Sequence, residues 1–196
     1  MDKRVFRVGF SGVPCTGKTS TARVLAGVAR QKLNSVELVD EYARKFIRDQ
    51  GAIESIQDQA LILDKQVSRE DQFNEKIIIT DSPIFLGFMY CLDLKTDKKG
   101  DELYLNHVFE KMNTLNRGRR YDIIFHLNPV INPHNDGIRL KNQLNDTWRE
   151  EANNALFFVW KLFPPKKIYI IDETELHKRV DFCMEKINEN FSGFTD

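Results

Sequence analysis

The chain has 196 residues, of which 41% are hydrophobic and 30% charged, the composition of a water-soluble globular protein. Its 29 basic and 29 acidic residues cancel, so no overall charge draws it to nucleic acid, although a local basic patch stays compatible with that balance. The length suits one α/β domain, residues 1–196, and is too short for two ordinary domains with a linker.

Val5 to Phe10 is a short apolar run that predicts a strand entered directly from Met1-Asp2-Lys3-Arg4, so neither a signal peptide nor a membrane span is expected. Gly12-Val13-Pro14-Cys15-Thr16-Gly17-Lys18-Thr19 follows and fits G-x-x-x-x-G-K-[ST] at every fixed position. Lys18 to Lys32 then predicts a helix that begins inside the motif, which completes the strand, loop and helix order of a phosphate-binding loop. Glycines allow backbone N–H groups to converge on phosphate oxygens, Lys18 adds a point charge, and the Thr19 hydroxyl suits Mg²⁺. The positive end of the helix adds to the same field. Gly12 through Thr19, with Ser20, are therefore the candidate nucleotide-binding residues, with ATP and Mg²⁺ as ligands.

Val36 to Val39 predicts a second strand, Glu41 to Gln50 a helix ended by Gly51, and Ile53 to Asn74 a long helix. Lys76 to Thr80 is a continuous β-branched run, as in a strand buried on both faces of a parallel sheet. Helices are predicted from Pro83 to Leu94 and from Asp101 to Asn116, separated by the polar segment 95–100. Tyr121 to Leu127 is a fourth strand, and Asn128 to Gly137 is too rich in Asn, Pro and Gly for regular structure. Ile138 to Phe163 reads as a helix, Lys167 to Ile171 as a fifth strand, and Glu173 to Phe191 as a closing helix. Alternating strands and helices imply an α/β three-layer sandwich with a five-stranded parallel sheet, and the sequence places a flap at about 130–150. Cys15, Cys91 and Cys183 are odd in number and widely spaced, which suits a reducing cytoplasm better than a disulfide framework or a zinc site.

Ligands of such sheets sit beyond the carboxyl ends of the strands. Asp81 ends strand 3, where a carboxylate meets Mg²⁺ in phosphate-loop enzymes, or simply caps the next helix. Glu41, at the mouth of strand 2, is the candidate general base; the alternative is ordinary helix N-terminal acidity. Arg44 lies one turn further on and either clamps phosphate or pairs with Glu41. Tyr42 and Phe85 are candidate acceptor-stacking rings, as is Tyr90, against core packing for each. Arg139 follows Asp136-Gly137 and is the candidate lid arginine, with Lys141 and Arg149 nearby. Arg117, Arg119 and Arg120 precede strand 4 at the edge away from this chemistry and read as a solvated turn. His126 reads as a satisfied core residue.

Together the phosphate loop, Glu41-Tyr42-Ala43-Arg44, Gln59, Gln66, Asp81 and Asp136-Gly137-Ile138-Arg139 resemble the ribosylnicotinamide kinase-like domain of the bifunctional bacterial NAD-biosynthesis regulator and its stand-alone relatives. The resemblance runs over about residues 5–175. It implies a P-loop fold of the nucleotide-kinase type, ATP as phosphoryl donor, a ribosyl 5′-hydroxyl as acceptor, Asp81 on magnesium and Arg139 in the lid. The adenylyltransferase and DNA-binding domains of the bifunctional members are not expected within these 196 residues.

Three other classes fit less well. Asp81-Ser82-Pro83-Ile84 lacks the Asp-x-x-Gly switch of a regulatory GTPase, and no Asn-Lys-x-Asp motif is present. A mechanical ring ATPase would carry Asp-Glu after strand 3 and a further helical domain. A non-catalytic nucleotide-binding module would have no use for a carboxylate and a lid arginine together. Kinases of nucleosides, nucleoside monophosphates or polynucleotide ends share every part named above and stay open, because they differ only in the acceptor pocket. The expected partner is thus a small nucleoside-like molecule, and oligomeric state is open.

Overall fold

The β-branched and apolar runs of the sequence become five strands, and β3 (Ile77–Asp81) and β4 (Ile123–Leu127) are buried at every position, as strands covered on both faces must be. The structure, a computed structural model, describes residues 4–33, 35–94, 101–117, 119–132 and 145–191. The order within them is β1 (Phe6–Ser11), α1 (Lys18–Lys32), β2 (Val36–Val39), α2 (Tyr42–Gln50), α3 (Ile56–Asp71), β3, α4 (Leu86–Asp93), α5 (Asp101–Asn116), β4, α6 (Asp146–Leu162), β5 (Lys167–Ile171) and α7 (Leu176–Asn190). All pairings are parallel, in the spatial order β2-β3-β1-β4-β5. The chain leaves β1 to build β3 and β2 on one side and β4 and β5 on the other, so a crevice opens at the carboxyl end of β1.

Two apolar layers flank the sheet. On one face Ala22, Leu25, Ala26 and Ala29 of α1 and Val180, Cys183 and Ile187 of α7 pack on Phe10, Ile123 and Phe125. On the other, α3, α4, α5 and α6 converge on Phe85, Tyr121, Trp160 and Phe163. Each fully buried large side chain contributes about 1.5–3 kcal/mol. This double cover fixes the central strands, and with them the loops at their ends.

Helix starts differ from the sequence expectation where a side chain captures the first amides. α3 starts at Ile56 rather than Ile53, because Ser55 Oγ accepts from Asp58 N and Asp58 Oδ2 accepts from Ser55 N, both at 3.1 Å. α6 is described from Asp146, where Asn145 Oδ1 accepts from Trp148 N at 3.2 Å; the expected stretch from Ile138 to 144 lies outside the described residues. α7 starts at Leu176 rather than Glu173, whose carboxylate accepts from the amides of Thr174 and Glu175.

The basic turn before β4 is a second correction. Arg120 is not solvated: its Nε and Nη2 donate to Glu70 Oε2 at 3.1 and 2.9 Å, and Nη2 also reaches Asp71. Tyr121 donates to the same Glu70 at 2.8 Å and accepts from Ile84 N at 3.0 Å. Burial pushes the Glu70 carboxyl up, against the opposing pull of Arg120. The cluster ties α3, β4 and the turn before α4 together at the amino edge of the sheet, away from the strand ends that carry the chemistry.

Candidate active site

The loop between β1 and α1 has the shape that its glycines permit. Gly12 has φ 138° and Gly17 φ 89°, both in the positive-φ range that L side chains rarely adopt. A Cβ on Gly12 would stand 2.5 Å from the Leu127 carbonyl oxygen, and one on Gly17 would stand 2.7 Å from Arg179 Nη1. Cys15 adopts φ 63° without being glycine, a sign of a locally constrained loop. Gly17 caps α1 with no side-chain hydrogen bond, and the first turn of α1 holds no acidic residue. The helix therefore offers its amino end to an anion.

A cleft of about 230 Å³ opens over this end of α1. It is lined by Cys15 to Ser20 from the loop and helix, by Glu41 and Arg44, by Tyr90 of α4, and by Ile131 and Asn132 after β4. Gly12 and Pro14 are buried, and Val13 packs into the core, so these three shape the loop from beneath. Lys18 Nζ donates to the carbonyls of Gly12 and Val13 at 2.7 and 2.9 Å, so its side chain curls over the loop.

Asp81 ends β3 opposite Phe10, one residue before Ser82 turns the chain at φ 76°. Asp81 is 1% exposed, and the Thr19 side chain lies close enough to its carboxylate to lower the pKa. Its pKa is raised, first by burial and then by the Glu41 carboxylate, with Thr19, Lys18 and Arg44 opposing. Its Oδ1 is buried with no hydrogen-bond partner. An unpartnered buried carboxylate oxygen beside a threonine hydroxyl fits a magnesium ion, which takes one or two protein oxygens and draws its remaining ligands from phosphate and water. Among the described residues no group of three or more His, Cys, Asp or Glu forms a metal cage, and magnesium in this setting needs none.

Glu41 and Arg44 belong to both alternatives read from the sequence: they pair, Arg44 Nε to Glu41 Oε2 at 3.0 Å, and they line the cleft. Gln66 Oε1 accepts from Tyr42 N at 2.8 Å and so fixes the start of α2, where Glu41 is the N-cap. Tyr42 is half-buried beneath the Arg69 guanidinium, 5.9 Å from the ring centre, and is not among the lining residues. Phe85 must be corrected. Its ring is fully buried, stacked on Phe163 at 5.1 Å and edge-on to Tyr121 and Trp160, so no face is left for an acceptor. Tyr90 is the aromatic ring that lines the cleft.

Arg139, Asp136, Gly137 and Lys141, and most of the expected flap, lie outside the described residues. Arg149 is buried on α6 and donates from Nη2 to the Ile131 carbonyl at 2.8 Å, which holds a lining residue in place. Two further features carry no local sequence signal. Ser11 Oγ accepts from Trp160 Nε1 at 3.1 Å and donates to His126 Nδ1 at 3.0 Å, while His126 Nε2 faces Asn153 Oδ1 at 3.0 Å. Burial takes the His126 pKa down to about 4 and keeps the ring neutral, in line with a satisfied core residue. Arg179, from α7, reaches the phosphate loop itself.

The fold is shared with solved kinases. The NadR protein in complex with NR superimposes with a TM-score of 0.69 over 98% of this chain and 52% of that one, at 16% identity. Thymidylate kinase from Ehrlichia chaffeensis gives a TM-score of 0.60 over 93% and 98% of the two chains, at 13% identity. Deoxyadenosine kinase from M. mycoides, with products dCMP and dCDP bound, gives 0.53 over 94% and 100%, at 15% identity. The chain thus spans about half the length of the NadR chain, and it has the α/β fold of the P-loop nucleotide kinases. No curated protein sequence matches it significantly. Among the described residues no helix is long and apolar enough to cross a membrane. The AAA domain family matches the sequence over residues 7–163, most of its length, and the chain belongs to that family.

Proposed function

We propose that this protein is an ATP-dependent phosphotransferase that moves the γ-phosphoryl group of ATP·Mg²⁺ to a hydroxyl of a nucleoside-like acceptor, with nicotinamide riboside as first candidate. The observation that carries this reading is the composition of one cleft: a phosphate loop forms its floor, and Glu41 and Arg44 line its wall beside the buried Asp81. A loop alone would serve any nucleotide-binding protein, whereas a carboxylate and a guanidinium at its mouth suit an acceptor hydroxyl and a transferring phosphoryl group.

In this mechanism the loop amides and Lys18 bind the β and γ phosphates. Thr19 and Asp81 would hold magnesium, which when bound neutralises charge on the phosphate oxygens. Glu41 takes the proton from the acceptor hydroxyl, since it lines the cleft while Asp81 is buried behind Thr19. Arg44 orients that carboxylate and brings positive charge to the wall of the cleft. Arg139 is the proposed lid cation. β3 ends Asp81-Ser82, without the adjacent glutamate expected of a ring ATPase, which favours transfer to a hydroxyl over hydrolysis.

The acceptor choice rests on the motif resemblance and on the shared fold with NadR solved with NR. The kinases of deoxyadenosine and thymidylate keep other nucleosides and nucleotides as alternatives. The test is an ATP-consumption screen over nicotinamide riboside, deoxynucleosides, nucleoside monophosphates and hydroxyl-ended oligonucleotides, with Lys18→Ala as the blank. Stimulation by nicotinamide riboside supports the full reading, and stimulation by another class moves the acceptor. No stimulation by any acceptor would sink the kinase reading in favour of a binding module.

A further inference from the structure

Arg179 is 2% exposed, in the first turn of α7. Its Nη1 donates to the Thr16 carbonyl at 2.7 Å and its Nε to the Glu173 carbonyl. Its Nη2 is buried with no hydrogen-bond partner. Burial lowers its pKa, opposed by Glu173. A guanidinium is a costly group to place beneath a loop if the loop needs only to be filled, because a neutral side chain would pack there without the desolvation cost.

The geometry of the peptide bond says what the contact achieves. Across a trans peptide the carbonyl oxygen of one residue and the N–H of the next point in opposite directions. All peptides in the described chain are trans, and Gly17 lines the cleft. With the Thr16 oxygen drawn toward Arg179, the Gly17 N–H is directed the other way. Gly17 also supplies the room: a Cβ there would stand 2.7 Å from Arg179 Nη1.

We propose that Arg179 is a positioning residue of the phosphate loop: by anchoring the Thr16 carbonyl from beneath, it turns the Gly17 N–H toward bound polyphosphate and adds positive charge behind it. It does not line the cleft and touches no reacting atom, so nucleotide affinity depends on it while the transfer step does not. This rests on the proposed use of ATP and is independent of the acceptor.

The test is direct binding of a fluorescent ATP analogue with Mg²⁺ to the full chain, with inorganic tripolyphosphate as competitor, in wild type, R179M and R179K. Folding is checked by thermal melting. R179M is expected to weaken both the ATP analogue and tripolyphosphate by roughly tenfold or more, the scale of one charged hydrogen bond. R179K keeps charge but lacks the fork that spans two carbonyls, and should fall between. Added guanidinium ion should recover part of the R179M loss, which a packing defect would not show. In turnover, KM for ATP should rise with kcat at saturation nearly unchanged.

A folded R179M with wild-type affinity for both ligands, or a loss confined to kcat, overturns the proposal. Should R179M fail to fold, R179K decides by the same criterion. Wild-type protein that binds neither ATP nor tripolyphosphate overturns the nucleotide reading itself, whereas binding by wild type and variants alike overturns the brace alone.

Discussion

Arg44 Nε lies 3.0 Å from Glu41 Oε2 at the start of α2, in the wall of the cleft. The partner holds the carboxylate in one orientation, as a general base requires. Glu41→Gln keeps the shape and an oxygen for Arg44, and removes only the basicity. Steady-state kinetics should show kcat lower by roughly 10²–10⁴. A nucleotide titration should show ATP affinity unchanged. Wild-type turnover in this variant would move the role to Asp81 or to water.

Asp81 has its pKa raised by burial and by Glu41, so its ionised form opposes folding when no cation is bound. The sign follows from linkage: with the folded pKa above the unfolded one, the contribution to stability is full below 3.8 and is lost as pH rises through the raised value. Asp81→Asn, which mimics the protonated form, should therefore melt higher than wild type at pH 7 in metal-free buffer. The difference should vanish as pH falls toward 3.8. Added Mg²⁺ and ATP should raise the wild-type melting temperature more than that of the variant.

Tyr121 donates to Glu70 and accepts from Ile84 N inside the protein. Tyr121→Phe leaves a buried carboxylate and a buried amide each short of a partner. Urea denaturation should show a loss of about 1–3 kcal/mol. KM for ATP should be unaltered, because the cluster lies at the opposite edge of the sheet from the loop. A change in ATP affinity without a change in stability would contradict this division.

His126 has its pKa lowered to about 4 by burial, from an ordinary value of 6.5. Stability from the neutral ring is full above 6.5 and declines as pH falls toward 4. Melting temperatures from pH 7 to 4 should decline more steeply in wild type than in His126→Gln, which keeps hydrogen-bonding capacity without a titrating ring. Parallel profiles would show that the ring is not held neutral.

The parts readable in the sequence are those whose meaning is local. The phosphate loop, the buried run that becomes β3 and Asp81 at its end each declare themselves within a few residues. Phe85 was misleading because an aromatic at the start of α4 looks the same whether it faces a ligand or Phe163. Arg120 looked solvated because Glu70, which takes its charge, lies 50 residues away in sequence. Gln66 was part of the motif pattern, but its hold on the Tyr42 amide needed the packing of α3 against α2. Arg179 sits in a helix whose pattern speaks only of Val180, Cys183 and Ile187. Contacts between distant residues leave no periodicity of their own.

The contact from Arg179 to the Thr16 carbonyl spans 163 residues. The ribosome delivers the phosphate loop well before its brace. The central strand β1 likewise waits for β3 and β4 before it has neighbours. A nascent chain therefore carries the motif long before it has the support for the motif's final shape, and nucleotide is poorly suited to act as a template for early folding. The final shape of the phosphate loop thus certifies that α7 has been made and docked.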